Sequence, residues 1–149
     1  MISLRVHGVP ASKGSKNLGR NRRTGAPIMY ESARGLPAWS AAVVKATAAA
    51  RPVMIPARTP TRVTIIFYMP RPKSHYGTGR NSCRLKPSAP TWYTSKPDID
   101  KLVRATYDGL TVGKAWADDA QVCSETTDQR YVPEGESPGA LIIISTLTD

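Results

Sequence analysis

The sequence predicts an α+β protein: a small mixed β-sheet of about four strands with two main helices, in a single domain over residues 1–149. Three observations carry that expectation. "TRVTIIFYMP" (61–70) is β-branched and aromatic and closes on Pro70, as a strand does. Ile99, Leu102, Val103, Thr106 and Leu110 fall at the spacing that lines one side of a helix. "ALIIISTLT" (140–148) is a nearly continuous apolar run of strand length.

The elements follow in order. "ISLRVHG" sets Ile2, Leu4 and Val6 against polar neighbours, the period of a half-buried strand. "ASKGSKNLGRNRRTGAP" has no hydrophobic period and reads as a solvated basic loop, part of a basic segment near 12–34. "LPAWSAAVVKATAAA" is alanine-rich, with Pro37 where a helix begins because its missing N–H costs nothing there. Trp39, Val43 and Ala46 are its expected buried stripe. After the proline-rich "RPVMIPARTP" and the strand at 61–70, residues 70–97 show no periodic element. Residues 98–112 form the second helix, with Gly113 as its stop signal. "AQVCSETTD" alternates weakly through Val122 and Ser124 as a strand, and "PEGESPG" turns into the last one. The order is β, α, β, long loop, α, β, β, with no internal repeat.

Length and composition bound the function. A chain of 149 residues is large enough to build a core without staples. No apolar run approaches the roughly 20 residues of a membrane span, and "MISLRVHGVP" lacks the pattern of a secretory signal, so a cytoplasmic protein is expected. Cys83 and Cys123 belong to no zinc pattern and read as free thiols.

Charge is more informative. Residues 1–97 hold 17 Lys/Arg and one acid, Glu31, whereas residues 98–149 hold four Lys/Arg and ten acids. The cationic part points to a polyanion, and nucleic acid is the polyanion that Lys and Arg contact through phosphates. No amphipathic basic helix offers itself to a membrane surface. Two segments are the candidate DNA contacts: Lys13, Lys16, Arg20, Arg22 and Arg23 in the first, and Arg71, Lys73, Arg80, Arg84, Lys86 and Lys96 in the second. His75, Tyr76, Trp92 and Tyr93 interleave with the second set, which suits base stacking. A loop this long is either functional or a solvated insertion, and basic composition fits both.

The acids form the chemical constellation. "KPDIDKL" places Asp98 and Asp100 at the mouth of the second helix, and "WADDAQV" adds Asp118 and Asp119. One acid there would cap the helix and meet the positive end of its dipole. Two acids, with a second pair just ahead of a returning strand, suit a cage for a hard divalent cation, because packed carboxylates repel one another without one. Such an ion assists phosphodiester hydrolysis by activating water and stabilising the leaving oxygen. Asp100, Arg104 and Asp108 share one polar stripe, so Arg104 either steadies a phosphate or pairs with its helix neighbours.

"KPDIDKLVRATYDGL" followed by "WADDAQV" resembles the RusA family of Holliday-junction resolvases, common in phages and prophages. That pattern is approximately KPDxDN, a lysine one turn later, DGL or DAL, then DDxQV. The order of elements matches as well, from "VHGVPASKG" through a helix around a tryptophan and a strand ending in "MP".

The resemblance implies a RusA-like fold and a Mg²⁺- or Mn²⁺-dependent endodeoxyribonuclease acting as a homodimer on four-way junctions in recombination, repair or phage DNA processing. No small-molecule substrate is implied. Asp98, Asp100 and Asp119 match the family's metal-binding aspartates, and Asp118 is a supporting ligand position. Two positions depart from the pattern. Lys101 replaces the usual asparagine and is a further DNA-contact candidate; Arg104 replaces the catalytic lysine, keeping the charge on a fork that does not readily release a proton. A non-catalytic DNA-binding protein is the rival reading, and a general flap or duplex nuclease is a third.

Overall fold

The computed structural model describes residues 1–14, 16–31, 34–50 and 52–148, with the side chains of 16–18 and 28–31 outside that description. Its elements are β1 (Ile2–His7), β2 (Lys16–Arg20), β3 (Pro27–Glu31), α1 (Leu36–Ala50), β4 (Thr61–Met69), α2 (Ile99–Val112), β5 (Val122–Tyr131) and β6 (Gly139–Thr146). The main sheet runs β1-β6-β4-β5. β6 is antiparallel to both of its neighbours, while β4 and β5 are parallel. The sheet is therefore mixed and four-stranded, and together with two helices it gives the expected α+β fold.

Period-2 burial explains the central strands. Val63, Ile65, Phe67 and Met69 of β4 are buried, alternating with partly exposed Thr64, Ile66 and Tyr68. Ile142 and Ile144 of β6 join them, as do Leu4 and Val6 of β1. The helices close this face. α1 contributes Trp39, Val43 and Thr47, so the stripe continues through Thr47, with Ala46 only partly buried. α2 contributes Leu102, Val103, Thr106 and Leu110, whereas Ile99 lies at the rim, 37% exposed. The buried indoles of Trp39 and Trp116 donate to Thr106 Oγ1 (3.2 Å) and Thr111 Oγ1 (2.8 Å). Buried polar groups kept paired in this way avoid the cost of lost solvation.

Where α1 and α2 meet, the backbones come close. A Cβ on Gly109 would lie 2.9 Å from Val43, and one on Gly113 would lie 2.7 Å from Thr47. Gly113 therefore serves contact more than conformation: its φ is −72°, and the left-handed residue after the helix is Lys114 at φ 64°.

The first basic segment is not simply a loop. β2 and β3 pair as an antiparallel hairpin, Lys16 opposite Glu31 and Arg20 opposite Pro27. Asn21 organises its turn, accepting on its side-chain oxygen from the backbone N–H of Arg23 (2.9 Å) and Thr24 (3.2 Å). "KNLGR" has one apolar residue, so no alternation marks it as a strand; cross-strand pairing makes it one.

The segment 70–97 is also organised, without regular secondary structure of any length. Short 3-10 turns form at Lys73–His75 and Gly79–Asn81, and Tyr76 bridges Leu85. Arg71 Nε donates to Val132 O (2.7 Å), its Nη1 donates to Pro90 O (2.7 Å), and the backbone N–H of Leu85 donates to Glu134 (2.9 Å). Thr91–Tyr93 lies along the outer edge of β5, since Tyr131 N donates to Thr91 O and Tyr93 N to Gln129 O.

No helix among the described residues is long and apolar enough to cross a membrane.

Candidate active site

Parallel pairing of β4 and β5 decides where the acids go. β5 starts opposite Thr61, the beginning of β4, so the chain must travel back along the sheet before pairing. α2 makes that return journey. Gln129 near the end of β5 holds Pro97 O at 2.9 Å, and Glu125 nearer its start accepts from Tyr107 Oη at 2.8 Å. The first acid pair thus stands at the start of α2 and the second beside its later turns. About 12 Å of helix axis separates Asp100 from Asp108.

The carboxylates at the start of α2 are exposed and not used for capping. Asp98 occupies the N-cap position yet makes no side-chain cap bond. Its carboxylate lies 3.4 Å from Lys101 Nζ in an exposed ion pair. Asp100 and Arg104 are exposed one turn apart, and among the described residues neither side chain has a hydrogen bond or an ion pair. The intrahelical bridges open to Arg104 are not made.

Asp118 behaves differently. It caps the 3-10 turn Asp119–Gln121, accepting from Ala120 N at 2.8 Å, while Gln121 Oε1 accepts from Asp118 N at 3.2 Å. Gln121 Nε2 also donates to Pro56 O (3.1 Å) and Thr59 O (3.3 Å), fixing the turn to the loop before β4. Asp118 and Asp119 line a shallow depression of about 470 Å³ with Asp108, Thr111, Val112 and Lys13. Lys13 reaches Asp108 at 2.8 Å, 95 residues away in sequence. Beside them, burial first, then the hydrogen bond to Glu125 and its charge, and the charge of Asp119, push the Tyr107 phenol above its ordinary range. Tyr107 and Glu125 had no sequence signal, since a phenol and an acid on separate elements show no spacing.

Hard carboxylate oxygens suit Mg²⁺ or Mn²⁺. Among the described residues, however, no group of three or more His, Cys, Asp or Glu is placed to hold a metal ion. The donor chemistry fits the ion; the arrangement in this single chain does not.

The cationic candidates divide by what they touch. Arg20, Arg22, Arg23, Lys73, Arg80, Arg84, Lys86 and Lys96 are exposed and, among the described residues, form no salt bridge. Lys13 and Lys101 sit on acids. Arg71 is a brace within the protein, bonded to two carbonyls and lying 5.2 Å from the Tyr131 ring centroid. The side chain of Lys16 lies outside the described residues.

A family model, Endodeoxyribonuclease RusA, matches residues 8–145. The chain belongs to the RusA family. The match spans both basic segments, both helices and all four aspartates. Membership makes the RusA activity, cutting DNA internally in the resolution of Holliday junctions, the activity class of this chain. No curated protein sequence matches it.

Proposed function

We propose that the chain is a Mg²⁺- or Mn²⁺-dependent, structure-selective endonuclease that resolves four-way DNA junctions by paired nicks. It serves recombination and repair or phage DNA processing, in a bacterial or phage-infected cytoplasm. A homodimer presents two equivalent sites to a substrate that itself has two-fold symmetry. The reaction is phosphodiester hydrolysis leaving 5′-phosphate and 3′-hydroxyl ends.

The observation that carries this reading is that the fold uses none of the Asp98, Asp100 and Arg104 side chains for capping or packing: among the described residues Asp98 holds only an exposed ion pair with Lys101, and Asp100 and Arg104 hold none. All three are exposed on α2, none caps the helix, and the fold asks nothing of Asp100 or Arg104. The side chains of Asp100 and Arg104 are therefore open to a task outside the fold, and that of Asp98 gives up only an exposed ion pair to join them. In the proposal Asp98, Asp100 and Asp119 would hold the divalent ion once brought closer than a single chain places them, and Asp118 holds the turn that presents Asp119. Arg104 sets a fixed positive charge against the phosphate. The unpaired cations of the hairpin and of residues 73–96 hold the arms of the junction through phosphates.

One observation favours the rival. Lys101 already places a cation on Asp98, which suits a DNA-binding protein whose acids are internally neutralised. A labelled four-way junction and a linear duplex of matched arms, each incubated with Mg²⁺ or with EDTA, separate the readings. Paired nicks on the junction that need the ion are expected. Salt-sensitive binding without cleavage establishes the rival, and equal cutting of both substrates establishes a general nuclease.

A further inference from the structure

We infer that Trp92, backed by Arg130, is a stacking platform for an unstacked base at the branch point. This inference rests on the junction reading above. Trp39 and Trp116 are 1% and 0% exposed, whereas Trp92 is 56% exposed. A ring of that size normally gains by burial.

The exposure is not that of a loose loop tip. Trp92 forms a bridge with Arg130 of β5, and its two neighbours hydrogen-bond to the same strand, Thr91 O at 2.8 Å and Tyr93 N at 3.1 Å. Successive residues of an extended segment face opposite ways. Tyr93 turns inward, edge-on to Tyr131 at 4.9 Å, with its hydroxyl donating to Lys96 O at 2.6 Å. Trp92 is left on the other side with the Arg130 guanidinium 4.8 Å from its ring centroid. Asp128 holds that guanidinium in turn. A rigid indole carrying a cation against its ring, with more than half of its surface open, is the arrangement that receives a second flat ring.

The surroundings select which ring. Residues 70–97 carry six basic groups and no acid, and all but the inward brace Arg71 are exposed. A two-fold contact through this segment would set those charges against themselves, so the occupant is an anion-bearing aromatic and not a second copy of the chain. Linear duplex DNA keeps its base faces stacked; a branch point can expose one. Trp92 is also only six residues from Asp98, at most about 20 Å of extended chain. Tyr93 and Gln129 brace the intervening residues through Lys96 O and Pro97 O. The platform thus registers the branch relative to the acids, and it discriminates branched from linear DNA by a contact that phosphates cannot supply.

The test uses the intact chain in EDTA, with a four-way junction carrying 2-aminopurine at the branch and a linear duplex of the same arms. Junction addition quenches the emission of the exposed tryptophan, and duplex addition does so much less. Trp92→Ala weakens junction binding by about 5- to 150-fold, the range expected for one lost base stack. It leaves duplex binding within about twofold, and Trp92→Phe recovers part of the loss. Equal loss on both DNAs, or unchanged junction affinity, overturns the platform while leaving the nuclease reading standing. Weakened self-association of Trp92→Ala by sedimentation, with DNA affinity intact, also overturns it. If Trp92→Ala fails to fold, the wild-type quench and Trp92→Phe decide. A wild-type chain that binds no junction overturns both readings.

Discussion

Two aspartates in this molecule stand at the same structural address and lead different lives. Asp98 and Asp118 each occupy the position before a helical turn. Asp118 spends its carboxylate on the backbone, within a reciprocal box completed by Gln121. Asp98 gives the helix only its backbone carbonyl, and its carboxylate pairs instead with Lys101 in solvent. Position alone therefore does not assign an acid to stability or to chemistry; the bonds it accepts do. One carboxylate belongs to the fold and the other is on offer to something outside it.

The sharpest way to break this contrast is to neutralise each acid. Asp98→Asn lowers junction cleavage by about 10²- to 10³-fold, the scale for losing one electrostatic group of an active site, with the melting temperature unchanged. Asp100→Asn and Asp119→Asn do the same. A melting temperature that falls with the activity would place Asp98 beside Asp118 as a structural residue.

Asp118→Ala has the converse signature. Loss of the cap costs about 1 kcal/mol, which lowers the melting temperature by roughly 2–4 °C in a chain of this size. Cleavage falls less than in Asp119→Asn.

Lys101→Asn is subtler. An exposed i,i+3 ion pair contributes at most about 0.5 kcal/mol, so stability barely moves. With the competing ammonium gone, the Mg²⁺ concentration for half-maximal cleavage falls. A rise instead would mean that Lys101 serves DNA and not Asp98.

The smallest effect is read at alkaline pH. The Tyr107 phenol sits above its ordinary value of 10.0 in the folded chain, so folding favours its neutral form. That contribution is fully present below pH 10 and is lost as pH rises beyond it, where the unfolded chain ionises first. Tyr107→Phe removes this alkaline decline, read as a flatter melting temperature above pH 10.

Local periodicity made α2 and β4 legible, because Leu102, Val103, Thr106 and Leu110 or Val63, Ile65 and Phe67 carry their own spacing. Residues 70–97 were opaque for the opposite reason. Arg71 finds Val132 and Leu85 finds Glu134, 61 and 49 residues on. The acids were legible as types and as pairs, and the short linear gap between the pairs suggested that they meet. A parallel β4–β5 pair forbids so simple a return: the strand must begin beside Thr61, which carries Asp118 and Asp119 to the far turns of α2.

The glycine seam between the helices has a mechanical corollary. The stripe of Asp100, Arg104 and Asp108 rides on a rod seated directly against Val43 and Thr47, with no side chain between to absorb a change. Asp119 hangs instead from the Gln121 clamp on Pro56 and Thr59. One added methyl at the seam would lift the rod while the clamp stays put, so the gap between the acid pairs can be retuned without altering a single charged residue.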